Sequence, residues 1–147
     1  MKKHGLCLMT GAVFFLFCFS APARPEEPEK KLGLFPEDRI SAEELRQQQL
    51  QFRNVVIVDA RDEASYQASH IRDAIFPGDD HTLEVSPGLQ ESMSRYSKDT
   101  MVVTYCDTGC QASAVMALKI KRMGFQNVKT LEDGFQTWQD KGYPVKK

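Results

Sequence analysis

The chain has 147 residues, of which 41% are hydrophobic and 27% charged, a composition typical of one globular domain and unlike that of a disordered or fibrous chain. Its 19 basic and 20 acidic residues give a formal net charge of −1 at pH 7. This near balance excludes proteins that hold nucleic acid or anionic lipid through excess positive charge, so we expect no nucleic-acid partner.

The first 23 residues have the order of a secretory signal peptide. Two lysines precede an uncharged apolar run of 14 residues at 6–19, and the sequence Ala-Pro-Ala follows at 21–23. A transmembrane helix needs about 20 apolar residues, so this run is too short to be one. We expect cleavage near Ala23, no stable membrane span afterwards, and export of the mature protein, to the bacterial periplasm.

Cleavage would change both the charge and the thiol content of the chain. Without residues 1–23 the protein has 17 basic and 20 acidic residues, a net charge of −3, and its remaining thiols are Cys106 and Cys110.

Residues 24–37 are rich in proline, glutamate and lysine, and we interpret them as a solvated tether before a domain at 38–147. An oxidising compartment favours a disulfide between Cys106 and Cys110. A bridge across so short a loop would stabilise the fold little, and this favours a chemical role for the two cysteines.

Short apolar runs alternate with helical patterns through the domain. In chain order we predict a helix at 41–51, a strand at 55–59, a helix at 62–69, a strand at 74–76, a helix at 88–96, a strand at 101–105, a helix at 112–123 and a strand at 128–131. Ser41 and Glu44 form a capping-box pattern, and Gly124 suits a helix C-terminus. Phe135 and Trp138 are expected in the core. Continuously apolar strands are typical of parallel sheets covered on both faces, so the predicted class is α/β.

Cys106 immediately follows the strand at 101–105, and a short loop then leads into the helix at 112–123. In parallel sheets, ligands bind beyond the carboxyl ends of strands. Loop N–H groups can turn toward the sulfur and the helix N-terminus adds positive potential, so we expect an ionised, nucleophilic Cys106 in an amide-lined cup. We expect the Asp107 carboxylate to point outward. The predicted substrate-binding loop consists of Asp107, Thr108, Gly109, Gln111, Ala112 and Ser113.

Three segments resemble the rhodanese family of sulfurtransferases. The loop that begins at Cys106 resembles the family's active-site loop. The sequence VVIVDARDEASYQASHIRDAIFP at 55–77 resembles the family's first signature, and LEDGFQTWQDKGYPV at 131–145 resembles its C-terminal signature. Three matches in the right order, spread over about residues 38–145, argue against coincidence.

The resemblance implies a single-domain rhodanese-like fold, with a five-stranded parallel sheet flanked by helices on both faces. It also implies that Cys106 accepts a sulfane sulfur as a persulfide and passes it to a thiol or another nucleophilic acceptor. Asp59 and Arg61 correspond to a structural ion pair of the family. The implied partners are a small sulfur-containing donor and a thiol acceptor, protein thiols included, and no cofactor is implied.

Two residues of the loop depart from the family pattern. Many active relatives have an arginine five residues after the cysteine, where this chain has Gln111, so we expect thiosulfate to be a poor substrate. Cys110 adds a second thiol. It can act as a resolving cysteine that attacks a persulfide or sulfenic acid on Cys106, or as a small residue at the helix start, and both interpretations stay open.

Other chemistries are less well supported by the residues. A zinc site takes about four ligands, and here Cys106 and Cys110 could be joined only by His70 and His81, of which His70 belongs to the first signature, so no metal site is predicted. Two alternatives to sulfur transfer remain. One is a thiol–disulfide redox switch that uses Cys106 and Cys110, and the other is a non-catalytic binding module with the rhodanese fold.

Overall fold

The computed structural model describes residues 38–51, 54–80 and 82–147. The predicted signal peptide, the predicted tether and His81 lie outside these residues, so their predictions stay predictions. Among the residues that are described, no helix is long enough and apolar enough to cross a membrane.

Strands and helices alternate along the described chain. The strands are β1 (Arg39–Ile40), β2 (Val55–Asp59), β3 (His70–Ile71), β4 (Met101–Tyr105), β5 (Val128–Leu131) and β6 (Val145–Lys146). The helices are α1 (Ala42–Gln51), α2 (Glu63–Ala68), α3 (Pro87–Ser94), α4 (Ala112–Arg122) and α5 (Gly134–Asp140). The predicted strands at 55–59, 101–105 and 128–131 are confirmed with those bounds, and α1 to α4 lie within two residues of their predicted bounds.

The main sheet is parallel, with the strand order β1-β5-β4-β2. The predicted strand at 74–76 is reduced to a single parallel bridge between Ile75 and Val58, held by two backbone hydrogen bonds of 2.8 and 2.9 Å. Asp73 before it has φ 67°, and Pro77 after it has no N–H to donate, so the strand cannot lengthen on either side. The expected fifth strand is therefore one residue long. A separate antiparallel pair is formed by β3 and β6.

Helices cover the parallel sheet on both faces, as the α/β class predicts. Alternate residues of each strand point to opposite faces, so Val56 and Val58 pack with α3 and α4 while Ile57 packs with α1 and α5. On the second face, Trp138 and Phe135 of α5 lie in the core, as predicted for these two residues. Burial on both faces explains why the strands read as continuous apolar runs.

The predicted helix ends are present in the structure. The Ser41 hydroxyl accepts a hydrogen bond from the Glu44 N–H, and the Glu44 carboxylate accepts one from the Ser41 N–H, which is a capping box at the start of α1. At the C-terminal end of α4, the helix stops before Gly124. The φ of Gly124 is 92°, a left-handed conformation that glycine adopts more readily than other residues. This last turn fixes the direction in which the chain leaves α4 toward β5.

Candidate active site

Cys106 lies at the carboxyl end of β4, between the main sheet and the N-terminus of α4. Neighbouring segments fix the backbone on both sides of it. The Ala60 N–H donates to the Tyr105 carbonyl at 2.8 Å, and the Phe135 N–H donates to the Cys106 carbonyl at 2.9 Å. The position of the cysteine is therefore set by β2 and α5 as well as by its own strand.

Gly134 lets the start of α5 approach this loop closely. A Cβ atom at position 134 would lie 2.5 Å from the Cys106 carbonyl oxygen and 2.9 Å from the Thr108 nitrogen, closer than real Cβ contacts occur. The φ of Gly134 is 68°, which also favours glycine. Thr108 adds a further link, because its hydroxyl donates to the Asp133 carbonyl at 2.9 Å. The loop is thus clamped against the β5–α5 segment.

The thiol of Cys106 is buried, with 3% of the residue exposed. Its Sγ donates to the Cys110 carbonyl at 3.1 Å and lies 3.3 Å from the Ser113 hydroxyl. Burial raises the pKa of Cys106 to about 12, the hydroxyl and N–H of Ser113 act to lower it, and the neighbouring Cys110 side chain raises it.

The structure supports only part of the expected amide-lined cup around an ionised Cys106, because the Ser113 N–H acts to lower the pKa of Cys106 whereas burial and Cys110 raise it. Such a cup requires that several N–H groups of the loop turn toward the sulfur. Instead, the loop directs the Cys110 carbonyl at it, and a carbonyl stabilises a thiol rather than a thiolate. Burial and the Cys110 carbonyl therefore both favour the thiol form of Cys106.

Cys110 lies just before α4, in surroundings that differ from those of Cys106. It is exposed, and its Sγ accepts a hydrogen bond of 3.3 Å from the N–H of Ala112, the first residue of α4. Gly109 has a φ of 76°, and the Cys110 N–H donates to the Asp107 carbonyl at 3.1 Å, which closes the turn that places Cys110 there. Both cysteines are unbridged.

Both thiols border one cavity of about 550 Å³ at the carboxyl edge of the sheet. One wall is the cysteine loop itself, including Gly109 and Gln111, followed by Ser113 in the first turn of α4. The opposite wall is the segment that joins β5 to α5, where Glu132 and Asp133 carry carboxylates. This second wall was missed in the sequence, although its position after a parallel strand that neighbours β4 is the signal that could have found it.

The remaining residues of the predicted loop occupy the rim and the helix start. The Asp107 carboxylate points outward, with 63% of the side chain exposed, and lies 3.8 Å from an Arg61 nitrogen. Gln111 occupies the N-cap position of α4 and makes no side-chain capping bond. Ala112 and Ser113 follow in the first turn, so all six predicted loop residues lie within one continuous stretch around the two thiols.

Asp59 and Arg61 form a buried ion pair under the loop. Arg61 donates to the Asp59 carboxylate at 2.7 Å, and its guanidinium lies 4.0 Å from the centre of the Phe135 ring. The Tyr105 hydroxyl also donates to Asp59, and burial followed by the Asp59 charge raises the pKa of Tyr105 well above its ordinary value. This network connects β2, β4 and α5 beneath Cys106 and holds the edge of the sheet together.

The histidine and metal predictions can be examined only in part. His70 Nδ1 lies 2.7 Å from the Tyr66 carbonyl, so that ring nitrogen is engaged with the backbone. Within the described part of the chain, no three side chains of His, Cys, Asp or Glu converge as a metal site requires. His81 lies outside the described residues.

The rhodanese-like domain family has a model that matches residues 41–141, more than half of the chain. The chain belongs to the rhodanese-like domain family. Thiosulfate sulfurtransferase GlpE from Coxiella burnetii is 34% identical over 87 residues, which are 59% of this chain and 74% of that protein. A Mycobacterium tuberculosis protein named HTH-type transcriptional regulator Rv0324 is 32% identical over 110 residues, which are 75% of this chain and 45% of that protein.

A solved structure supports the same fold. The BH2092 protein from Bacillus halodurans superposes with a TM-score of 0.62 at 25% sequence identity, covering 80% of this chain and 79% of that chain. Rhodanese-like domains thus occur both in proteins named as sulfurtransferases and inside proteins with other names, so membership places this chain in a sulfurtransferase family without fixing its reaction.

Proposed function

We propose that this protein is a sulfurtransferase that carries a sulfane sulfur as a persulfide on Cys106 and passes it to a thiol acceptor. The observation that carries the proposal is the position of Cys106, at the carboxyl end of a central strand and at the wall of a cavity that a second thiol shares. Similarity to a relative named thiosulfate sulfurtransferase supports the reaction class.

The chemistry needs no cofactor. The Cys106 sulfur attacks the outer sulfur of a donor R–S–SH, the S–S bond of the donor breaks, and the leaving sulfur takes the proton from Cys106 and departs as R–SH. An acceptor thiolate then attacks the outer sulfur of the Cys106 persulfide and regenerates the cysteine. Because the Ser113 hydroxyl lies 3.3 Å from Sγ and favours the thiolate, it is placed to stabilise the charge that develops there.

The walls of the cavity favour donors that are neutral or carry little negative charge. Gln111 can offer hydrogen bonds but no positive charge. Arg39 also lines the cavity, but the carboxylates of Asp107, Glu132 and Asp133 outnumber it and repel anions. A persulfide or polysulfide therefore suits the cavity better than thiosulfate, a dianion. We further propose that the donor and the acceptor thiol meet the protein after export.

Turnover of the reduced protein with inorganic polysulfide as donor and dithiothreitol as acceptor tests this function. We expect sulfide release that falls at least a hundredfold in Cys106→Ser, with fragment mass spectrometry of the wild type locating one added sulfur on Cys106. Thermal unfolding of the variant checks that serine preserves the fold. Wild-type turnover by Cys106→Ser would refute the proposal and favour a binding module.

A further inference from the structure

The cavity beside Cys106 is lined by charges of both signs. Arg39, the first residue of β1, lines it together with Glu132 and Asp133. We propose that the sulfur acceptor is a small α-amino acid with a thiol side chain, whose carboxylate is bound by Arg39 and whose ammonium is bound by Glu132 and Asp133. The inference rests on the proposed function and adds to it the chemical class of the acceptor.

Arg39 is fixed beside the acidic segment that follows β5. In the parallel pair of β1 with β5, Arg39 lies opposite Thr130. Two residues further along the chain, the Glu132 N–H donates to the Ile40 carbonyl at 2.9 Å. This hydrogen bond joins Glu132 itself to the residue that follows Arg39. The backbone therefore holds the arginine and the acidic segment side by side at the cavity.

Arg39 projects from the face of the sheet that α4 covers. Ile40 packs into the core cluster on the opposite face, with α1 and α5, and successive residues of a strand point to opposite faces. Helix α4 covers the face of Arg39, and its first turn contains Ser113, whose hydroxyl lies 3.3 Å from the Cys106 Sγ. A ligand held by Arg39 is thus on the side of the sheet where the reacting sulfur lies.

The acidic segment is held against the cysteine loop by two hydrogen bonds. The Phe135 N–H donates to the Cys106 carbonyl at 2.9 Å, and the Thr108 hydroxyl donates to the Asp133 carbonyl at 2.9 Å. These bonds fix the backbone of Asp133 relative to Cys106. Glu132 and Asp133 are both exposed, so a small molecule in the cavity can reach their carboxylates.

A zwitterion matches these charges better than an anion or a cation does. Asp107 lies 3.8 Å from an Arg61 nitrogen, which offsets part of its charge and leaves Arg39 with Glu132 and Asp133 as the charges of the opposite wall. The carboxylate and the ammonium of an α-amino acid are attached to one carbon, so one small molecule presents both signs together. Its carboxylate can accept two parallel hydrogen bonds from a guanidinium. A cavity of about 550 Å³ is large enough for such a molecule.

The transfer to this acceptor is balanced in atoms and electrons. The sulfur of the acceptor R–SH attacks the outer sulfur of the Cys106 persulfide, and the bond between the outer sulfur and the Cys106 sulfur breaks. The proton of the acceptor passes to the Cys106 sulfur. The products are R–S–SH and the thiol of Cys106, so no oxidant or reductant is consumed. Arg39 contacts the acceptor away from its sulfur and acts on its binding and orientation.

Acceptor thiols that differ by one charged group test the inference. Protein loaded with inorganic polysulfide and freed of the excess is mixed with L-cysteine, with 3-mercaptopropionate, which lacks the ammonium, or with cysteamine, which lacks the carboxylate. Fragment mass spectrometry follows the loss of sulfur from Cys106. Each rate is divided by the rate of the same protein with neutral 2-mercaptoethanol and then compared between variant and wild type. Differences in thiol reactivity and general effects of a substitution cancel in this comparison.

The two halves of the site should respond to different thiols. We expect Arg39→Gln to lower the relative rates with cysteine and 3-mercaptopropionate by roughly threefold to fivefold, and not the rate with cysteamine. Glu132→Gln combined with Asp133→Asn should lower the relative rates with cysteine and cysteamine, and not the rate with 3-mercaptopropionate. Arg39→Lys keeps the charge and should keep most of the preference. Arg95→Gln, at an exposed arginine that ends α3, is the matched control and should change none of the relative rates.

The outcomes separate this inference from the proposed function. Relative rates that Arg39→Gln leaves unchanged for every thiol would overturn the inference, while sulfur transfer from Cys106 to any of the thiols would uphold the proposed function. A loss with cysteamine as large as that with 3-mercaptopropionate would show that Arg39 supports the fold of the cavity and does not bind a carboxylate. Failure of polysulfide to load Cys106 would overturn the proposed function, and the inference with it.

Discussion

At the scale of single residues, the environment rather than the residue type decides what each cysteine can do. Cys106 and Cys110 are four positions apart, yet one sulfur is buried against a backbone carbonyl and the other is exposed at a helix N-terminus. The sequence placed both thiols in one loop correctly. It could not predict that the Ala112 N–H faces the Cys110 sulfur, because this depends on the turn at Gly109 and not on composition.

Replacement of Cys106 is expected to change how stability depends on pH. The pKa of Cys106 is raised to about 12, whereas an unfolded thiol titrates near about 8.5, so between these values the folded state holds a proton that the unfolded chain releases. The contribution of Cys106 to the free energy of unfolding is therefore fully present below about pH 8.5. It falls as the pH rises above that value, by at most about 1.4 kcal/mol per pH unit.

Urea unfolding between pH 7.5 and 10.5 under reducing conditions measures this dependence. The wild type is expected to lose stability more steeply than Cys106→Ser as the pH rises, because serine does not titrate in this range. Tyr105, whose pKa is also raised, is present in both proteins and cancels in the comparison. Parallel curves for the two proteins would contradict a buried, protonated Cys106.

Gln111→Arg is expected to improve the use of thiosulfate. An arginine at the N-cap of α4 would place positive charge at the cavity wall and could bind an anion through two hydrogen bonds. We expect KM for thiosulfate to fall roughly tenfold, with little change in kcat. Gln90→Arg is the matched control, since it makes the same substitution at an exposed site on α3. Equal kinetics of the two variants would show that Gln111 does not limit anion binding.

At the scale of helices and strands, the parts that the sequence predicted well are those with a dominant local pattern. The strands β2 and β4 are mostly apolar runs, and α4 ends at a glycine, so burial and helix capping suffice to place these elements. Helix α5 was not predicted as an element. It follows Asp133 in a left-handed conformation with no side-chain cap, and contacts with the cysteine loop fix its start instead.

Gly134→Ala is expected to destabilise the domain and disturb the loop. The added Cβ would lie 2.5 Å from the Cys106 carbonyl, and the φ of 68° adds conformational strain of about 1–2 kcal/mol. Gly142→Ala separates these effects, because Gly142 has nearly the same φ, 67°, and an added Cβ there would meet no atom within 4 Å. Urea unfolding should show a larger loss for Gly134→Ala, with reduced turnover for this variant alone. Equal losses of unfolding free energy in the two variants would mean that the loop moves away from the added Cβ without loss of stability.

At the scale of the whole molecule, charge is unevenly placed around a nearly neutral chain. The chain carries a formal charge of −1, but the cavity is lined by three carboxylates, those of Asp107, Glu132 and Asp133, and by one cation, Arg39. The electric field of these groups acts on any charged donor that approaches the two thiols. The molecule is therefore expected to discriminate among sulfur donors by charge before any covalent step occurs.

Turnover with thiosulfate is expected to rise with ionic strength, because salt screens the repulsion between the anion and the cavity walls. Rates at 20 and 200 mM sodium chloride measure the effect. The matched variant is Glu132→Gln with Asp133→Asn, since asparagine tolerates the left-handed backbone of position 133. This variant should lose most of the salt dependence. A rate that falls with salt in the wild type would indicate net attraction and contradict the assigned repulsion.

The parallel sheet tapers toward both sides, from five residues in β4 and β2 to two residues in β1 and a single bridged residue, Ile75. A long, flat outer strand would offer a template on which a second chain could add, and such pairing is a common route to aggregates. Here β1 and the bridged residue Ile75 are too short to guide that pairing. This tapering is therefore expected to lower the tendency of folded molecules to aggregate through the edges of their sheets.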